Sequence, residues 1–525
     1  MSERILVIRF SSLGDVVLTE PVFRALKQKY LQAQIALATK KEYAGVFEGY
    51  SNIDRLFNLD GGLEKLAREI RAFKPDLIVD LHRNFRSRRL AGQFPEARKL
   101  TYAKARWERF LKVLTKTRRP VAHTMERYLK TVEAVGSVAF PQLNASTSKD
   151  HRRWVGPAGF TVGFGLGAKW EAKLWPVGHF SQLAELLSKS FPVGRFILFG
   201  SEEEYELGNE FKKKFSGSSP AVMVFGQPLE RAKNCLSKLD LLVSNDSGLM
   251  HLGAACGVPT LGLFGPTHPV LGFAPLGEKS KALSLDLYCS PCSLHGKLPC
   301  FRSRRFCLED LTPEKVFEEA RAVLKSVKPK PVLEPVPAVF MDRDGVVIRE
   351  RNFDYTPDNI EILPGAPGAI RRLKEAGFKI VIVSNQSGVG RGFLTVEGVE
   401  AVHSAVQEKL KKEGAEIDRF YFCPHWSDGA VEKFRKECVC RKPETGMPEL
   451  ADLELGIDFS RSFVVGDRVT DLELGWKKGM RSILVLTGQG KRAQEELAEK
   501  RDDSAIVKGN VLEAAEHILG MKMEV

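Results

Sequence analysis

Asp342 and Asp344 stand one residue apart where the apolar run Val339-Phe340-Met341 gives way to Gly345. A strand that ends in two carboxylates can hold a nucleophile beside a proton shuttle, and both groups can bind Mg²⁺. D-x-D alone is common in surface loops. Here it is followed in order by Ser384-Asn385-Gln386-Ser387-Gly388, by Arg441-Lys442-Pro443, and by Gly466-Asp467-Arg468 with Asp471. A hydroxyl, a lysine and further carboxylates in that sequence suit covalent phosphoryl transfer, so the C-terminal third reads as a phosphatase.

The cysteines sort into two groups. Cys423, His425, Cys438 and Cys440 make C-x-H-x12-C-x-C within 18 residues, directly ahead of Arg441 and Lys442. Three thiols and an imidazole suit a tetrahedral structural Zn²⁺, whose role would be to pin the loop that delivers Lys442. Cys289, Cys292, Cys300 and Cys307 make C-x2-C-x7-C-x6-C. The second pair lacks the tight knuckle of common zinc sites, and reduced thiols remain the alternative to metal.

In the N-terminal part, Ile5–Phe10 runs into Ser11-Ser12-Leu13-Gly14-Asp15 and then a helix. That layout puts Asp15 at the carboxyl end of a strand, where α/β folds bind ligands; a helix cap is the plainer reading. Leu242-Val243-Ser244 leads in the same way into Asn245-Asp246-Ser247-Gly248 and His251, where free N–H groups at a helix start suit a diphosphate. Gly265-Pro266-Thr267 follows the next strand, and Lys173 precedes Leu174-Trp175-Pro176.

The elements that position these residues alternate β-branched runs with amphipathic stretches, the pattern of parallel α/β domains. Strands are expected at Ile5–Phe10, Gln34–Ala38, Leu77–Leu81, Thr161–Phe164, Arg195–Phe199, Leu241–Ser244 and Thr260–Phe264. Four prolines in nine residues, Pro329 to Pro337, make a stiff linker. Beyond it strands are expected at Ala338–Met341, Lys379–Ser384, Ser462–Val465 and Ser482–Leu486. A softer boundary at 144–159 divides the first part. The expected domains are 1–155, 156–325, a linker at 326–337, and 338–525.

A chain of 525 residues, 43% hydrophobic and 28% charged, fits a multidomain globular protein. No apolar run reaches the roughly 18–20 residues of a bilayer span, and Met1-Ser2-Glu3-Arg4 does not open a signal peptide. The net charge of +13 is uneven, with fifteen Lys/Arg against three acids from Arg83 to Lys130. Such a stretch favours an anionic partner, and no nucleic-acid motif accompanies it. The expected location is cytoplasmic, with peripheral contact at the inner membrane left open.

Residues 1–325 resemble glycosyltransferase family 9, the lipopolysaccharide heptosyltransferases, through Arg9 to Asp15, Lys173 to Pro176, Asn245 to His251 and Gly265 to Thr267. The resemblance implies a GT-B pair of Rossmann-like domains that transfers heptose from ADP-heptose to a lipopolysaccharide core acceptor. It implies Asp15 as general base and Lys173 on the donor diphosphate. Asp246, Ser247, Gly248, His251 and Thr267 are implied as further donor contacts, with no catalytic metal.

Residues 338–525 resemble the haloacid dehalogenase superfamily, and within it the D,D-heptose 1,7-bisphosphate phosphatases. By that likeness Asp342 is the nucleophile and Asp344 the acid and base. Ser384 and Lys442 meet the phosphoryl group; Asp342, Asp467 and the carbonyl of Asp344 hold Mg²⁺, with Asp471 behind them. Asn385, Arg441, Arg468 and the segment Glu350, Arg351, Asn352 and Phe353 are implied in substrate binding. Ser384 and Arg468 depart from the threonine and lysine common in the family, which puts anomer preference in question. Two alternatives stay open: a histidinol-phosphate phosphatase, and an N-terminal part that binds glycolipid without catalysis.

Overall fold

Parallel strands need long crossovers, and this chain supplies them as amphipathic helices between short, fully buried apolar runs. The computed structural model describes residues 3–134, 138, 140–143, 154–155, 159–330, 332–500 and 504–522. It divides into two compact units, residues 1–153 with 157–331, and residues 154–156 with 332–525. The expected boundary at 144–159 lies almost wholly outside the described residues.

In the first unit, β1 (Arg4–Ile8), β2 (Gln34–Lys40), β3 (Arg55–Leu59), β4 (Leu77–Asp80) and β5 (Arg98–Thr101) form a parallel sheet ordered β3-β2-β1-β4-β5. A short strand β6 (Trp154–Val155) comes next in sequence and counts with the second unit. The first unit's other sheet holds β7 (Phe160–Gly165), β8 (Val193–Gly200), β9 (Ala221–Phe225), β10 (Leu241–Asn245), β11 (Thr260–Phe264) and β12 (Lys281–Ser284). Its order is β12-β11-β10-β7-β8-β9, again parallel throughout. Two Rossmann-like sheets in one unit are the GT-B plan.

In the second unit β13 (Val332–Leu333) pairs with β6, so part of the proline-rich linker is ordered as strand. The main sheet holds β14 (Ala338–Met341), β15 (Lys379–Asn385), β16 (Arg419–Cys423), β17 (Phe463–Gly466), β18 (Arg481–Val485) and β19 (Ile506–Lys508), ordered β16-β15-β14-β17-β18-β19. Val339, Met341, Ile380, Ile382, Val465 and Ile483 face one helical layer and are sealed from solvent. Each such side chain contributes about 1.5–3 kcal/mol by leaving water.

Each of the three main sheets reverses its strand order beside a central strand: at β1, between β7 and β10, and at β14. Chain turns leaving such a point on opposite sides open a crevice at the strands' carboxyl ends. Asp15 follows β1, Lys173 and Asp246 follow β7 and β10, and Asp342 and Asp467 follow β14 and β17.

Candidate active sites

In the second unit, β14 and β17 are neighbours in parallel register, so Asp342 and Asp467 emerge side by side. Lys442 Nζ lies 3.0 Å from Asp342 Oδ1 and 2.6 Å from Asp471 Oδ1, and donates to the Val383 carbonyl at 2.8 Å. Its backbone is clamped by Asn385, whose Oδ1 accepts from Lys442 N at 3.0 Å and whose Nδ2 donates to Lys442 O at 3.1 Å. A buried ammonium is thereby fixed where negative charge converges.

Burial and the carboxylates of Asp471 and Asp344 push Asp342 up to about 6, against the pull of Lys442. Burial, Asp342 and Asp471 likewise push Asp467 up to about 8. One lysine does not balance this many acids. Carboxylate oxygens of Asp342, Asp467 and Asp471 lie within 4.8 Å of one another, and Asp467 Oδ1 is buried without a hydrogen-bond partner. A hard divalent cation fits that all-oxygen cluster. Backbone approaches Asp467 closely: a Cβ at Gly345 (φ +80°) or Gly488 (φ +55°) would sit 2.3 or 2.1 Å from its Oδ2.

Asp344 faces a different set of partners. Arg343 grips it through Nε and Nη2, each at 3.0 Å, and Gln386 Nε2 donates to it at 2.7 Å and to Ser384 Oγ at 2.9 Å. Asp342, Asp344, Ser384, Asn385, Arg441, Lys442, Asp467, Arg468, Glu350, Asn352 and Phe353 line a cleft of about 620 Å³. Arg351 is not among the lining residues and lies 3.9 Å from Glu361 instead. Arg468 pairs with Glu350 at 2.7 Å, and Gln489 donates to the same carboxylate at 3.1 Å.

Sequence reasoning passed over Arg343, Tyr355, Gln489 and Arg492. Of these, only Arg343 carried a signal, lying between the two aspartates with its guanidinium 4.8 Å from the Tyr355 ring.

The loop before Lys442 gathers Cys423, His425, Cys438 and Cys440. Their ligand atoms lie 3.2–3.6 Å apart along the contacts Cys423–His425, Cys423–Cys438, Cys438–Cys440 and His425–Cys440. Zn–S bonds of ~2.3 Å separate tetrahedral sulfurs by a little under ~4 Å, so one ion fits among them. Arg441 Nη1 donates to the His425 carbonyl at 3.3 Å, and its guanidinium lies 4.6 Å from the Trp426 ring. Among the described residues, Cys289, Cys292, Cys300 and Cys307 do not converge in this way.

In the first unit, Asp15 sits in the first turn of the helix Leu13–Val17 and is gripped from several sides. Arg9 Nη2 lies 2.7 Å from Oδ2, Ser12 Oγ donates to Oδ2 at 3.0 Å, and Tyr128 Oη reaches Oδ1 at 3.4 Å. Burial opposes the charge, but Arg9 and Ser12 outweigh it and hold Asp15 below the usual carboxylate range. Arg9 is itself tied to the Leu81 carbonyl at 2.6 Å. The cap and the functional readings of Asp15 thus coexist, since its carboxylate also meets the Ser12 N–H at 3.4 Å.

Lys173 Nζ lies 2.7 Å from Asp246 Oδ2, and Thr267 Oγ1 donates to the same oxygen at 2.6 Å. Ser247 precedes the helix Gly248–Ala255. Gly248 and His251 face the Asp15 helix: a Cβ on Gly248 would meet Leu13 at 2.6 Å, and one on Gly14 would meet His251 Cδ2 at 2.6 Å. The helix bearing Asp15 and the helix Gly248–Ala255 therefore meet across the crevice between the two sheets. Asn245, quoted in the motif but given no role, braces the site through the Trp175 N–H at 2.9 Å and the Leu166 carbonyl at 2.7 Å.

Residues 63–298 match the family model of glycosyltransferase family 9 (heptosyltransferase). Residues 439–513 match that of HAD-hydrolase-like proteins. The chain is 39% identical to the D-glycero-beta-D-manno-heptose-1,7-bisphosphate 7-phosphatase of Yersinia pestis over 166 residues, 31% of this chain and 88% of that one. It is 41% identical to the corresponding phosphatase of Thermosynechococcus vestitus over 165 residues, 31% of this chain and 84% of that one. A solved family 9 glycosyltransferase from Veillonella parvula shares the fold with a TM-score of 0.51 and 23% identity, covering 62% of this chain and 99% of that one.

Proposed function

The chain belongs by its C-terminal unit to the D-glycero-D-manno-heptose-1,7-bisphosphate 7-phosphatase family and carries a family 9 glycosyltransferase domain before it, and from that premise we propose the substrates of a bifunctional enzyme. The C-terminal unit removes one phosphate from heptose 1,7-bisphosphate, leaving heptose 1-phosphate. The N-terminal unit transfers heptose from ADP-heptose to the inner core of lipopolysaccharide, at the cytoplasmic face of the inner membrane.

In the phosphatase, an Asp342 oxygen attacks phosphorus as the bond to the sugar oxygen breaks, and Asp344 gives that oxygen its proton. Water then attacks the aspartyl-phosphate with Asp344 taking the proton back. Lys442 and Ser384 stabilise charge on the transferring group. Mg²⁺ held by Asp342 and Asp467 would neutralise the phosphate and the carboxylates. Zn²⁺ in the Cys/His cluster would fix the loop bearing Arg441 and Lys442. In the transferase, Asp15 takes the acceptor hydroxyl's proton, Lys173 meets the donor diphosphate, and Ser247 and Gly248 offer the helix N-terminus to it.

The observation that carries the phosphatase reading is the buried Lys442 bridging Asp342 and Asp471 beside Asp467. Phosphate release by the full chain, assayed on heptose 1,7-bisphosphate and on histidinol phosphate with Mg²⁺, tests it. The bisphosphate should be strongly preferred, and Asp342→Asn should lower kcat by ~10³-fold or more. Turnover of histidinol phosphate alone, or an unchanged Asp342→Asn rate, would refute the assignment.

A further inference from the structure

The helix Arg106–Thr115 wears its apolar face on the outside. Trp107, Phe110, Leu111 and Leu114 fall at i, i+3, i+4 and i+7, the spacing that normally turns one stripe of a helix into a core. Here the stripe points to solvent, with the four side chains 77%, 46%, 52% and 66% exposed, and none of the helix's residues is buried. What faces inward is polar. Arg109 donates to the Leu271 carbonyl at 2.8 Å and to Thr124 Oγ1 at 2.7 Å, with its guanidinium 4.1 Å from the Phe273 ring. Just past the helix, Lys116 donates to the Pro291 carbonyl at 2.7 Å and Arg118 to the Leu287 carbonyl at 2.9 Å. The helix is thus tethered by cations and presents its greasy side outward.

We propose that Trp107, Phe110, Leu111 and Leu114 insert into the interface of an anionic phospholipid bilayer, with the surrounding Lys/Arg residues on its headgroups. From Lys104 to Arg119 there are seven Lys/Arg and a single acid, Glu108; Arg109, Lys116 and Arg118 are engaged in the tether, which leaves Lys104, Arg106, Lys112 and Arg119 for the rim. An apolar stripe with tryptophan inside a basic rim is what an in-plane interfacial helix requires. A second copy of this chain fits poorly, because it would bring the same positive charge to the contact. Four side chains also fall far short of the ~800 Å² per partner that stable protein interfaces bury. No helix among the described residues is long and apolar enough to cross a membrane, so this contact would be peripheral.

The placement serves the transferase reading, on which its functional meaning rests. Arg109 is hydrogen-bonded to Thr124, which begins the helix Thr124–Thr131, and Tyr128 of that helix reaches Asp15. A bilayer under the helix would hold a lipid-linked acceptor near the base that activates it.

Flotation of the full chain with vesicles of phosphatidylethanolamine and phosphatidylglycerol tests the docking without any acceptor present. The wild type should float with these vesicles and not with phosphatidylcholine alone. Trp107→Ser/Leu111→Ser/Leu114→Ser should lower partitioning by ~10-fold or more, and Arg106→Glu/Lys112→Glu should do so with the stripe intact. Phospholipids brominated in their tails should quench wild-type fluorescence more than that of Trp107→Phe. The thermal unfolding transition of the first unit, followed by circular dichroism and unchanged in every variant, reports that the unit bearing the helix is folded. The proposal is overturned if wild type does not float, if the triple variant floats like wild type, or if wild type is a dimer that the triple variant makes monomeric. Vesicle binding without heptose transfer to either lipid-linked or delipidated acceptor would uphold the docking and sink the transferase reading instead.

Discussion

As the base proposed for heptose transfer, Asp15 is held unusually firmly. A carboxylate that must accept a proton is paired with Arg9 at 2.7 Å and hydrogen-bonded by Ser12, which keeps it charged at low pH. The sign of the consequence follows. Removing the guanidinium leaves burial unopposed, so the Asp15 pKa rises and the base is protonated at higher pH. Arg9→Met should therefore shift the acid limb of heptose transfer upward in a pH–rate profile, while Arg9→Lys should restore it in part. An unshifted limb would show that Asp15 is not the titrating base. At this scale the motifs were readable because Asp342 ends the apolar run Val339–Met341, Asp467 and Asp15 each follow a glycine after such a run, and Lys442 stands between Arg441 and Pro443. Arg343 and Gln489 were not, since their roles depend on side-chain direction and on a loop distant in sequence. Arg351 shows the opposite failure: its neighbours Glu350 and Asn352 line the cleft, while its own side chain turns toward Glu361.

Strands divide by position. Every interior strand of the three main sheets was foreseen from an apolar, β-branched run. The strands that escaped notice were β3, β5, β9, β12, β16 and β19, which are the sheet edges. Edge strands are half-solvated, so Arg98–Thr101 and Lys281–Ser284 mix charge with apolar residues and lose the continuous signal. Two of them, β9 (Ala221–Phe225) and β16 (Arg419–Cys423), were apolar enough to have been seen. Helix packing sets another consequence at this scale. A side chain on Gly248 would collide with Leu13, so Gly248→Val should cost ~1–3 kcal/mol of overpacking and slow heptose transfer, with phosphate release unaffected. Differential scanning calorimetry with paired assays checks this. The Cys/His loop makes the reciprocal case. Removing the zinc proposed for that cluster with a chelator, then restoring Mg²⁺, should cut phosphatase activity ~10-fold or more and spare transfer, because Arg441 and Lys442 would lose their frame.

Taken as one molecule, the chain keeps its two chemistries in separate units, each with its own acids at its own crevice. Asp342→Asn in the full chain should abolish phosphate release and leave heptose transfer at the wild-type rate, and Asp15→Ala should do the reverse. Loss of both activities from either substitution would mean the units depend on one another. Heptose 1-phosphate, the product proposed for the phosphatase, lacks the nucleotide that a transferase donor carries, so on that reading one unit does not feed the other directly. Covalent union still has a genetic consequence. Each round of translation delivers both catalysts in equal number, so promoter strength cannot favour one over the other. Any balance between early supply and final use of the sugar must then be struck in the turnover numbers themselves.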